Sequence, residues 1–240
     1  ATVDVNTYVT TQQITRRLKF MNAAQYRELV AQGKPGAYDY GASTNWMNEV
    51  TRSPTFGQKH TIQISGGNAN DNYFASADYR NANGIDLRAY KKEYGARLNV
   101  NHTSKSDVYT VSINVAPRYM HTSSADQGNF NNAITINPTQ PVYDSAGHYH
   151  FLNTGFFSNN PVENARLIKS EAEIKELDMS GSFRVNILKN LYSTVTLSNI
   201  KSSYKNLNFR PSTLTTVTHN NAETKTNYAS QEQIDNDQQN

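Results

Sequence analysis

Residues 177–187 read LDMSGSFRVNI. Leu177, Met179, Gly181, Phe183, Val185 and Ile187 fall on one side of an extended chain, and Asp178, Ser180, Ser182, Arg184 and Asn186 on the other. A repeat of two is the side-chain period of a β-strand, so the stretch reads as a strand with one apolar and one polar face. The pattern recurs along the chain. Val3, Val5 and Val9 alternate with Asp4, Asn6 and Thr10; His60, Ile62 and Ile64 alternate with polar neighbours; so do Tyr73, Ala75, Ala77 and Tyr79. Tyr94 to Val100, Tyr109 to Val115, and Leu191 to Tyr204 complete about seven predicted strands.

The connections between them alternate in length. GNAND (67–71), TSKS (103–106) and LKN (188–190) are short polar turns, whereas 15–57, 84–91, 123–171 and 205 onward are longer excursions. In an up-and-down sheet successive connections fall at opposite ends, so short turns share one edge and long loops the other. This asymmetry is that of outer-membrane barrels. The sequence thus predicts a mainly all-β fold of antiparallel up-and-down strands, a transmembrane barrel segment with long extracellular loops and one short helix. That helix falls at 22–33, where Asn22 and Gln25 form a capping box, Met21 staples to Tyr26 and Gly33 ends it. The closing NYASQEQIDNDQQN reads as a polar loop or disordered segment, so the domain would end inside a loop and belong to a longer chain.

Composition agrees with strands and polar loops. Asn 30, Thr 23, Ser 20 and Gln 12 set the polarity, with only 12 Leu, 18% charged residues and a mean hydropathy of −0.72. The formal charge of +3 has no basic stripe behind it, which argues against nucleic acid. With no Cys, disulfides and thiolate chemistry are excluded. No apolar run reaches the roughly 18 residues of a membrane helix, a criterion that leaves β-strands open. No secretory leader pattern opens the sequence.

Alternation alone does not say which face meets what. An apolar face could be the core of a soluble sandwich or the lipid side of a barrel. Tyrosines bracketing the strands, at 73 and 79 and at 109 and 119, favour lipid, as interfacial girdles do. On the opposite face Asp78, Arg80, Arg97 and Arg184 would line a lumen and form ion pairs there. Catalytic signatures are absent, and His148 and His150 lack a third metal ligand nearby. No cofactor and no enzymatic activity are expected. Substrate contacts, if any, fall to loop aromatics, with Trp46, Tyr143, Tyr149 and Phe156 as candidates beside Phe151 and Phe157.

The run TNWMNEVTRSPTFGQKHTIQISGGNANDNYFASADYRNANGID (44–86) resembles the signature region of SusC/RagA-type TonB-dependent outer-membrane transporters. The resemblance continues through LKFMNAAQYRELV (18–30), KKEYGARLNVN (91–101), NPVENA (160–165) and LDMSGSFRVNILKNLYSTVTLS (177–198), with Asn45 standing where Asp is common before Trp46. It implies that residues 1–240 are the first part of a barrel of about 22 strands, without the plug, the TonB box and the remaining barrel. It further implies a Gram-negative outer-membrane location in Bacteroidetes, a SusD-like surface lipoprotein as partner, energy from the TonB complex, contact with outer-membrane lipid, and glycan or peptide cargo. The alternatives are a secreted soluble β-rich carbohydrate-binding module and, more remotely, a glycan-degrading enzyme, which would need two positioned carboxylates.

Overall fold

Alternation in the sequence becomes cross-strand register in the structure. The structure is a computed structural model that describes residues 1–124, 128–150, 160–211, 213–217, 223–225 and 228–239. Strands β1 (Thr2–Gln12), β2 (Thr55–Gly67), β3 (Asp71–Asn83), β4 (Tyr90–Thr103), β5 (Tyr109–Ser123), β6 (Lys169–Leu188) and β7 (Leu191–Arg210) pair antiparallel, each with the next. A two-stranded pair, β8 (Thr215–Val217) and β9 (Glu223–Lys225), follows, and β10 (Tyr228–Gln239) then adds to β7 as the eighth strand. The sheet is open, with β1 and β10 at its edges.

The last strand corrects the sequence reading, which made NYASQEQIDNDQQN a loop or disordered segment. Twelve residues of it pair with β7, from Tyr228 opposite Arg210 to Gln239 opposite Asn199. Ladder hydrogen bonds use the main chain alone, so a strand extending a sheet needs no apolar repeat to pair. One further correction concerns helices. Besides α1 (Ala23–Ala31), the described residues contain α2 (Trp46–Glu49), α3 (Gly128–Thr135) and α4 (Pro161–Leu167). α2 and α4 are too short to show a 3.6-residue apolar stripe, and the side-chain caps of Asn45 and Asn160 start them. The predicted α1 has both arms of its capping box, Asn22 Oδ1 accepting from Gln25 N at 2.9 Å and Gln25 Oε1 from Asn22 N at 3.1 Å. It ends in a Schellman motif, with Lys34 N donating to Leu29 O and Gly33 N to Val30 O; Gly33, at φ +67, takes the left-handed position.

Register carries the apolar face unbroken across the sheet. Val5 faces Ile62, Ile62 faces Ala77, and Ala77 faces Ala96; two residues along, Ala75, Leu98, Val115 and Met179 form the next row. At the long-loop end of this face the rings of His60, Tyr79, Tyr94 and Tyr119 form one row, the first pair stacked and the next two tilted, with centroids 5.0–6.2 Å apart. At the short-turn end His102, Tyr109 and Phe183 make a second row. Tyr73 lies there too, its hydroxyl 2.6 Å from where a Cβ on Gly66 would stand, so only glycine lets the ring cover that strand. Tyr109 and Tyr119 are ten positions apart, about 33 Å along a strand, or about 25 Å of height at a tilt near 40°, which matches the apolar band of a membrane barrel.

No strand of the sheet contributes a buried hydrophobic residue among the described residues. All nine buried apolar side chains, from Ala23 and Trp46 to Val162 and Leu214, lie in helices and loops. Val5 is 67% exposed and Leu197 70%. A soluble sandwich would bury this face under a second sheet; here the packed core lies among the long loops.

Candidate functional site

The long connections do not stay separate. The described residues of the connections 13–54, 84–89 and 124–168 lie at the same end of the sheet, and polar side chains stitch them into one assembly. Arg52 donates from Nε to Gly84 O at 3.0 Å and from Nη2 to Ala89 O at 2.6 Å, fixing the first loop to the second. Arg88 donates to Arg166 O at 2.6 Å, fixing the second to α4. The first and third loops run together over five residues: Ala42 N donates to Thr139 O at 2.9 Å, Thr44 N to Pro138 O at 2.8 Å, and Thr44 Oγ1 to Gln140 O at 2.7 Å.

Trp46 lies at the centre of this assembly. It is 2% exposed, packs with Val50, Ala133, Ile136, Val142 and Val162, and donates from Nε1 to Asn137 O at 3.2 Å. Its indole is a core group, which corrects its candidacy for stacking on a ligand: an aromatic among Asn and Thr in the sequence is here closed over by a loop 91 residues away. Asn45 caps α2, its Oδ1 accepting from Asn48 N at 3.1 Å, so Asn does the capping work at this position. Asn160 binds α4 to the third loop. Its Oδ1 accepts from Val162 N and Glu163 N, and its Nδ2 donates to Val142 O at 2.9 Å and His150 O at 3.3 Å. Asn160 and Arg52 lie in runs that carry the family resemblance, but their bonding was not legible there, because their partners are main-chain groups, which carry no residue signature.

Tyr143 and Tyr149 form an isolated antiparallel bridge with rings 5.1 Å apart. Tyr143 is 43% exposed, and burial pushes the Tyr149 phenol up, helped by Tyr143. Between them the His148 amide donates to Asp144 Oδ1 at 2.8 Å and holds that carboxyl below its ordinary value. His148 Nδ1 stands 3.5 Å from the same carboxylate. Among the described residues no three His, Asp or Glu side chains converge as metal ligands would. Phe156, with Phe151 and Phe157, lies outside the described residues.

Asp78, Arg80, Arg97 and Arg184 share the polar face, set by their pairing with Thr61, Lys59, Ser76 and Thr110. Arg80 pairs with Glu93 at 3.2 Å. Asp78 instead lies over Gly95, where a Cβ would come within 2.6 Å of its Oδ1. Arg184 stacks on the Tyr192 ring at 3.7 Å.

The sheet is thus open and antiparallel, apolar on one face, polar on the other and capped by loops at one end. No protein-family model matches the chain. It is 28% identical over 165 residues to the TonB-dependent receptor SusC of Bacteroides thetaiotaomicron, covering 65% of this chain and 16% of that protein. It is 25% identical over 203 residues to the TonB-dependent receptor P26 of Formosa agariphila, covering 79% of this chain and 19% of that one. Sequence and fold both match a segment of a SusC/RagA-type TonB-dependent transporter. In fold it superposes on the RagAB peptide transporter with a TM-score of 0.68 at 15% identity, covering 87% of this chain and 29% of that one. The RagAB importer in its open-open state gives a TM-score of 0.70 at 14% identity over 88% of this chain. The chain spans less than a fifth of each of the two curated relatives, so the SusC/RagA likeness describes a portion of such a protein.

Proposed function

We propose that this chain is barrel wall of an outer-membrane TonB-dependent nutrient importer. In this reading the apolar face lies against lipid, the polar face lines the transport lumen, and the loop assembly around Trp46 faces the cell exterior. The observation that carries it is the uncovered apolar face bounded at both ends by aromatic rows. On β6 this face is apolar from Leu177 to Ile187 and switches to Glu171, Glu173 and Lys175 above. That apolar run has the length of a membrane strand, about 9–11 residues. The packed, hydrogen-bonded loops supply a rigid platform on which a SusD-like surface lipoprotein would seat, with the TonB complex acting through parts outside this chain. The cargo is a glycan or a peptide. Polar uncharged Asn, Ser and Thr on the lumenal face suit passage of hydrophilic cargo without ionic trapping.

The test is fractionation of the full-length protein. It is expected in the outer membrane, with heat-modifiable migration and with a surface lipoprotein co-purifying. Recovery as a free soluble protein contradicts the reading.

A further inference from the structure

Pro117 stands in the middle of β5, a strand with neighbours on both sides. Proline has no N–H to give to a ladder, and within sheets it belongs at edges, first positions and bulges. Toward β6 the pairing runs unbroken from Tyr109 opposite Val185 to Ser123 opposite Glu171, with Pro117 in place opposite Leu177. Toward β4 it stops at Gly95 opposite Arg118 and resumes at Leu98 opposite Val115. The register is the same on both sides of this gap, so Ala96 lies opposite Pro117, and the donor that the Ala96 carbonyl would meet is the one proline lacks. The ladders of β1–β2, β2–β3, β3–β4 and β7–β10 have no such gap, and that of β6–β7 shifts only beside its turn, between Asn186 and Leu188. The gap lies two residues inside Tyr119, where the wall faces lipid and an unmet backbone group is most costly. Side chains do little to repair it. Gly95 has none to set against Arg118, and Asp78 of β3 takes the space over it, its Oδ1 2.6 Å from where a Cβ would stand. Ala96 sets a single methyl against the proline, and only above the gap do Tyr94 and Tyr119 meet across the strands, with centroids 6.1 Å apart. Cross-strand pairs are what tie neighbouring strands together, so at this height β4 and β5 are the least tied pair of the sheet.

The loop assembly crosses the same seam outside the sheet. The first and second loops belong to strands before it and the third to strands after it, so every bond between them spans β4–β5. Tyr40 N donates to Thr139 Oγ1 at 3.0 Å, Asn137 Nδ2 to Tyr38 O at 2.8 Å, Trp46 Nε1 to Asn137 O at 3.2 Å and Arg88 to Arg166 O at 2.6 Å. The buried core joins Trp46 and Val50 from one side to Ala133, Ile136, Val142 and Val162 from the other. We propose that β4–β5 is a yielding seam in the wall and that the loop assembly is a strap holding it shut from the outer end. The inference rests on the wall reading above. Releasing the strap lets β1–β4 and β5–β7 part at the gap while each group keeps its own ladder.

The test is amide hydrogen exchange of the full-length protein folded in detergent, comparing 94–99 of β4 with 74–79 of β3, the residues paired with them on the side away from the seam. In the wild type 94–99 is expected to exchange about tenfold faster, the factor of one net hydrogen bond. Pro117→Val restores the donor and is expected to remove the difference. Trp46→Ala is expected to speed 94–99 by about a further tenfold and leave 74–79 unchanged, and to have a much smaller effect when combined with Pro117→Val, because the two sites act on one seam. Arg88→Ala, which cuts one bond across the seam and spares the core, is expected to act in the same direction by about threefold. Equal exchange of the two segments in the wild type overturns the proposal, as does a Trp46→Ala effect that is the same on both segments or undiminished by Pro117→Val. Should Trp46→Ala fail to fold, Arg88→Ala read in the same two backgrounds decides. The comparison needs only folded protein, so it is read whether or not the protein fractionates with the outer membrane, and the wall reading stands or falls on its own result.

Discussion

Asn160 makes four hydrogen bonds from one side chain, two as acceptor toward α4 and two as donor toward the third loop. Asn160→Asp keeps the two accepted bonds and removes both donations, whereas Asn160→Ala removes all four. The Asp variant is expected to retain protection of the α4 amides in hydrogen exchange and to lose it in segment 139–150. The Ala variant loses both, by about 1–3 kcal/mol where buried partners are left unsatisfied. Trp46→Ala empties the centre of the loop core, a change of about 3–5 kcal/mol, and is expected to open the loops to protease while heat-modifiable migration persists. Asp144 gives the pH dependence. Its folded value is below the ordinary 3.8, chiefly through the His148 amide. Its stabilisation of the hairpin is therefore complete above that ordinary value and is lost as pH falls through the lowered folded one. Hydrogen exchange of the His148 amide is expected to be pH-independent in protection from neutrality to about pH 5 and to lose protection only on stronger acidification.

At the scale of elements, legibility followed the apolar repeat. The alternation starting at Leu177 marked the second half of β6, but the strand begins at Lys169, where Glu171, Glu173 and Lys175 replace apolar residues and erase the repeat. The residues of β10 show no repeat at all, since its pairing needs only main-chain groups. Faces can be separated by charge. Leu98 stands on the apolar face and Asn99 on the polar one, at the height of Val115 and Asn114. Leu98→Arg is expected to destabilise the full-length protein in lipid by about 2–4 kcal/mol, and Asn99→Arg by about 0–1. Equal effects in a denaturant titration from liposomes contradict the face assignment.

For the whole molecule, fold class, strand order and the helix at 22–33 were readable because each rests on a local repeat or cap. The loop core was not, because Trp46 meets Asn137 across 91 residues and no local pattern records such closure. The central claim is that one face of this sheet meets lipid and the other water. This chain contains no cysteine, and single cysteines at positions 96 to 101, placed in a full-length protein whose other cysteines are replaced, can each carry a spin label in liposomes. Collision with oxygen, which favours lipid, is expected to peak at 96, 98 and 100, and collision with a water-soluble nickel complex at 97, 99 and 101. Uniform access of the nickel complex to all six positions, or the opposite parity, contradicts the account.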